Sequence, residues 1–161
     1  MNNLLVAVDF SKITEAVIDH AANLAKALDA KLWVLHVTSD ETQAVVYEST
    51  QFTGYSPEFV SMPGDIQLAR DLSAEEIKRE HNELLGISAK LREQGVDSQA
   101  LLIKGAAAKT IVAKAEELDA GMIILGSHGH GLLHKALLGS VSEAVMNQTN
   151  RCVLVVPSPE K

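Results

Sequence analysis

Four residues near the C-terminus are spaced for chemistry: Gly126, Gly129, Gly139 and Ser140 form the pattern G-x2-G-x9-G-S. Glycine lets backbone N–H groups approach an anion with no Cβ in the way. A helix opening at Gly139 and Ser140 would add unpaired N–H donors and about half a positive charge at its first turn. Phosphate is the group such a segment suits.

Better-known signatures fail on single residues. The dinucleotide fingerprint needs glycine at position 134 after Gly129 and Gly131, and His134 stands there. Lys109 and Thr110 follow Gly105, but Ala108 takes the place of the second P-loop glycine. A hydrolase elbow around Ser127 would need glycine at 125, where the chain has Leu125. Nucleophilic catalysis therefore loses its best candidate. His128, His130 and His134 are close enough in sequence to suggest a metal, yet the single cysteine is far off at Cys152 and no carboxylate adjoins them. His128, inside the glycine loop, is read as a phosphate neighbour, and His130 and His134 as lying over the phosphates or in solvent. No role is assigned to His20, His36 or His81.

The elements that must position these residues alternate between strand and helix. Residues 4–8 are a short apolar run of the kind buried on both faces. Ser11 stands where an N-cap belongs, ahead of Ile13, Val17, Ala21, Leu24 and Leu28 at helical spacing. Residues 32–37 read as the second strand. Ser73 to Glu76 read as a capping box before Ile77, Leu84, Ile87 and Leu91, with Pro63 opening an earlier turn and Gly95 ending the helix. Residues 100–103, 122–125 and 152–156 read as the remaining strands, with helices over 106–118 and 141–148 between them. Five apolar strands separated by four helices predict an α/β fold, a single doubly wound domain over 1–161 with a parallel sheet covered on both faces. The stretch 40–72 has Gly54, Pro57, Pro63 and Gly64 but no sustained period, and its role is left unassigned.

Composition bounds the partners. A chain of 161 residues, 47% of them hydrophobic, can bury one sizeable core. A net charge of −7 with 4% aromatic residues argues against nucleic acid, which asks for a basic face and stacking rings. The N-terminus lacks a basic leader and meets Asp9 early, no stretch approaches a membrane span, and one cysteine builds no intrachain disulfide framework. The expected compartment is the cytoplasm.

The glycine pattern resembles that of the ATP-binding branch of the universal stress protein family. The resemblance extends to residues 4–9 with Ser11, residues 35–37, 121–129, 138–141 and 152–157, in the family's order. It implies a sheet order of 3-2-1-4-5, which sets the reversal between strands one and four. Ligands of open parallel sheets bind beyond the carboxyl ends of strands at such a point. The residues there are Ala7, Val8, Asp9, Phe10 and Ser11 on one side and Leu125, Gly126, His128 and Gly129 on the other.

What the resemblance implies is ATP, or ADP or AMP, with Mg2+ accompanying the phosphates. Asp9 would contact the ribose or the cation; the competing reading is a turn residue capping the next helix. Val37 would offer its backbone to adenine, on resemblance alone. Ser140 and Ser142, flanking Val141, have hydroxyls that could reach phosphate oxygens or cap the helix. With no general base evident, the expected role is a stress-response regulator whose nucleotide state controls an unidentified partner; a slow ATPase and a sensor of AMP or cyclic AMP are the alternatives. The apolar fifth strand, residues 152–156, lies at a sheet edge in this order, and pairing with a second copy would cover it.

Overall fold

The computed structural model describes residues 2–38, 63–127 and 138–158, with the side chains of 63–73 left aside. Its strands are β1 (Asn3–Val8), β2 (Lys31–Thr38), β3 (Ser98–Lys104), β4 (Met122–Gly126) and β5 (Cys152–Val156). Its helices are α1 (Thr14–Leu28), α2 (Pro63–Glu93), α3 (Ala107–Glu117) and α4 (Ser140–Gln148). All strand pairs are parallel, in the order β3-β2-β1-β4-β5. The expected topology is therefore the observed one.

Burial follows the two-faced logic of such a sheet. Leu4, Leu5 and Val6 are each 0% exposed because β1 is central and covered on both sides. Leu4, Val6 and Val8 pack with Ile13, Val17 and Ala21 of the α1 side and with Leu84 and Leu91 of α2. Leu5 points the other way and packs with Ile111, Val112 and Ala115 of α3 and Val145 of α4. Alternate residues of one strand thus feed two cores.

Three helices end by the same device. Ala30 N–H donates to Ala25 O, Val96 N–H to Leu91 O and Ala120 N–H to Ala115 O, each at 2.9 Å. The residue before each donor is left-handed: Asp29 at φ 49°, Gly95 at φ 83° and Asp119 at φ 46°. This is the Schellman closure, and Ala30, Val96 and Ala120 are the buried apolar residues that accompany it. Gly95 is the expected stop; the two aspartates do the same work because Asp tolerates this region better than most residues.

Two helix starts differ from expectation. α1 begins at Thr14 with Ile13 as N-cap and no side-chain cap, so Ser11 is not the cap. The reason lies in the turn before it, where the Asp9 carboxylate takes the Ser11 N–H and Ser11 O accepts from Thr14 N–H at 3.0 Å. That tight turn moves the N-cap from Ser11 to Ile13. In α2, Ser73 lies within a continuous helix that opens at Pro63, where the fixed φ of proline suits a first position. Of the stretch 40–72, residues 40–62 lie outside the described residues.

Candidate functional site at the strand ends

β1 and β4 are neighbours and parallel, so the segments after Val8 and after Gly126 emerge at the same edge of the sheet. The chain leaves β1 for β2 and β3 on one side and returns to β4 and β5 on the other, which makes this edge the switch point. Ala7, Val8, Leu125 and Gly126 end these two strands, and Val37 is the penultimate residue of β2. Its side chain packs into the core on the α3 and α4 face, leaving the backbone as what it can offer a ligand.

The turn after β1 is built by Asp9. Its Oδ1 accepts from Ser11 N–H at 3.0 Å and lies 3.5 Å from Thr14 Oγ1, an Asx turn that bends the chain toward α1. Phe10, between them, stands at φ 57°, a left-handed conformation that L-residues other than Asn and Asp seldom hold. The Ser11 hydroxyl is buried and, among the described residues, has no hydrogen-bond partner. The turn reading of Asp9 is thus realised, while the carboxylate still sits at the switch point.

The described half of the glycine pattern closes on itself. Gly139 is the N-cap of α4 at φ −61° and ψ 149°, with no side chain capping it. Its N–H donates to Ser127 O at 2.7 Å, which ties together the two ends of the glycine loop. Ser142, buried, donates its hydroxyl to Gly126 O at 2.7 Å. The Ser142 hydroxyl therefore pins α4 to the end of β4, whereas Ser140 is an exposed first-turn residue and Val141 is exposed beside it. The N–H groups of a first helical turn have no partner within the helix, so the α4 start offers donors at the edge where β4 ends. His128, Gly129, His130 and His134 lie outside the described residues. Among the described residues, no group of three or more metal-ligating side chains occurs.

Sequence reasoning missed two contributors. Ser127, considered only as a nucleophile, is structural: its N–H donates to Val156 O at 2.8 Å and its Oγ accepts from Ser158 N–H at 3.1 Å. His36, given no role, is 7% exposed and meets Val8 O, Glu80 and Phe10. A lone polar residue inside an apolar strand was the available signal, since a buried polar group needs a partner. A separate cavity of about 520 Å³ between α1 and α2, walled by Ile18, Ile87 and Leu91, shares Phe10 and Ser11 with the strand-end crevice. It lies on the α1 face, away from Gly126 and Gly139, and topology rather than volume identifies the crevice as the candidate site.

Known proteins match this chain along nearly all its length. The Bacillus subtilis universal stress protein YxiE is 32% identical over 158 residues, covering 96% of this chain and 98% of its own. The solved structure of the hypothetical protein MJ0577 superposes with a TM-score of 0.75 at 26% identity, covering 99% of this chain and 98% of that one. A universal stress protein from Archaeoglobus fulgidus, solved in complex with dAMP, has the same fold with a TM-score of 0.63 at 21% identity, covering 96% and 97% of the two chains. No described helix is long and apolar enough to cross a membrane. The family model for universal stress proteins matches residues 1–157, and with this sheet order and these relatives the chain belongs to the universal stress protein family.

Proposed function

We propose that this protein is a cytoplasmic stress-response regulator that binds ATP at the switch point between β1 and β4. The observation that carries the reading is the coincidence of a complete G-x2-G-x9-G-S pattern with its described half at that point: Gly126 ends β4, and Gly139 and Ser140 open α4. The phosphates lie against Gly126, Gly129 and the first turn of α4, where donors and the helix dipole favour an anion. His128 flanks them. Asp9 takes the ribose or one position on a magnesium ion that the phosphates also ligate, a usual arrangement for this cation. Adenine pairs with the backbone at Val37.

The nucleotide acts as a signal in this reading, and its bound state governs contact with another protein. A homodimer through β5 completes it. Hydrolysis is slow or absent in this reading, since the four residues that define the glycine pattern, Gly126, Gly129, Gly139 and Ser140, include no lysine or arginine to stabilise a transferring phosphate. The relative solved with dAMP favours a second reading, in which a monophosphate such as AMP, or cyclic AMP, is the preferred ligand.

Chromatography of the nucleotide released from freshly purified protein, followed by competition calorimetry among ATP, ADP, AMP and cyclic AMP with Mg2+, separates these readings. Tightest binding of ATP supports the first, and tightest binding of AMP or cyclic AMP the second. No adenylate binding at millimolar concentration rejects both. Single-turnover hydrolysis faster than about one per minute, well below typical enzyme turnover, would replace the signal with an ATPase.

A further inference from the structure

His36 touches the segment on both sides of Asp9. Its Nδ1 lies 2.7 Å from Val8 O, and its ring sits 4.4 Å from the Phe10 ring, tilted by 40°. Asp9 lies between these two contacts in the chain. The Phe10 backbone at φ 57° is strained for an L-residue, so it persists only where neighbours hold it. The imidazole is one such neighbour.

The other side of the ring depends on a proton. A carbonyl oxygen only accepts, so Nδ1 carries the hydrogen that goes to Val8 O. Nε2 then faces Glu80 Oε1 of α2 at 3.5 Å. If both groups are deprotonated, a lone pair confronts a carboxylate and the contact is repulsive. One proton, on Nε2 or on the carboxyl, makes it attractive. Among the described residues, Glu80 Oε2 is buried with no hydrogen-bond partner, and His36 is the group they set against its Oε1. Around the imidazole, β1 supplies the Val8 carbonyl, the turn supplies Phe10, and β3 supplies Leu102 as register partner. Glu80 is the titratable group that α2 sets against it.

We propose that His36 is a positioning residue for the nucleotide crevice: the proton it shares with Glu80 ties the Val8–Ser11 turn to α2, so that nucleotide affinity is highest when the pair holds that proton. The proposal rests on the nucleotide reading above. Histidine as a residue type is the usual charge switch near neutrality, which sets the pH range of the test. An imidazolium also holds the Phe10 ring more strongly than a neutral imidazole does.

The test uses the full chain, wild type, Glu80→Gln and His36→Asn. The amide introduced by Glu80→Gln can donate to a neutral imidazole, and the amide introduced by His36→Asn can still donate toward Val8 O, so neither variant needs the shared proton. ATP affinity is measured at pH 6 and pH 8 and taken as a ratio to each variant at the same pH, which cancels the ionisation of ATP itself. The wild-type affinity should fall roughly 5-fold more than that of either variant between the two pH values, the low end of ordinary coupling between sites. Equal pH profiles in all three proteins overturn the proposal, even if both variants melt earlier. Amide shifts of residues 9–11, followed by NMR without nucleotide, keep the two ideas apart. If ATP does not bind at any pH the nucleotide reading fails, and shifts that titrate in wild type but not in Glu80→Gln still support the tether. Shifts that stay fixed in wild type reject it.

Discussion

Gly139 can be replaced to test ligand chemistry without straining the backbone. Its φ of −61° and ψ of 149° are open to any residue, so valine there causes no backbone strain. Gly139→Val should keep the melting temperature of the free protein and lose at least about tenfold in ATP affinity, the equivalent of one hydrogen bond to a charged group. Calorimetry beside thermal denaturation checks both halves, and unchanged affinity would remove the α4 start from the site. Asp9 has a double role and calls for a different comparison. Asp9→Ala removes the bond to Ser11 N–H and should cost the free protein about 1 kcal/mol. If the carboxylate also meets the ligand, the rise in melting temperature on adding ATP and Mg2+ should shrink as well. An undiminished rise would leave Asp9 as a turn residue alone.

α2 is the element with stability in reserve. It runs over 31 residues and carries Gly86 in its interior, where an added Cβ would meet nothing within 4 Å. Gly86→Ala should therefore stabilise the protein by about 0.5 to 1 kcal/mol, through helix propensity and a less flexible unfolded chain. In a domain of this size that is a rise of about 1 to 4 °C, readable by calorimetry. A fall would mean that this face of the helix is covered in solution. The lower end of α2 is fastened separately: Arg92 donates to Ser88 Oγ at 2.9 Å and to Ser98 O at 3.0 Å, and Ser88 and Ser98 share a bond at 3.0 Å. This network, two buried serines capped by an exposed arginine, locks the helix to the start of β3, so the substitution should be felt as added stability rather than as a shift of the element.

At the scale of the whole molecule, β5 is an edge strand that pairs only with β4 among the described strands. Its five residues are Cys-Val-Leu-Val-Val, and all but Val156 keep some exposure. An apolar edge with free N–H and C=O groups is a template for another strand. A two-fold, antiparallel contact between two copies would satisfy those groups. Light scattering at micromolar concentration should give about twice the 17.3 kDa chain mass for the wild type, and Val155→Lys should return the chain toward one. A monomeric wild type would mean that the edge is covered from within the chain.

The fold was legible because its signals are local and repeated. Apolar runs such as residues 4–8 and 122–125 are short and unalternating, which happens when a strand is covered on both faces, and the spacing of Val17 and Ala21 marks the helix that covers one of them. The glycine pattern was legible for a similar reason: a phosphate site needs absent side chains, and absence is written in residue type. The sequence alone did not place the start of α1, because the Asp9 carboxylate turns the chain by taking the Ser11 N–H, and the Thr14 N–H that a capping Ser11 hydroxyl would receive goes to the Ser11 carbonyl, a choice settled by geometry. Nor did it show that Ser142 holds Gly126 or that His36 meets Glu80, far along the chain. Such pairings depend on which strand ends and helix faces the 3-2-1-4-5 order brings together, and only the tertiary structure decides that.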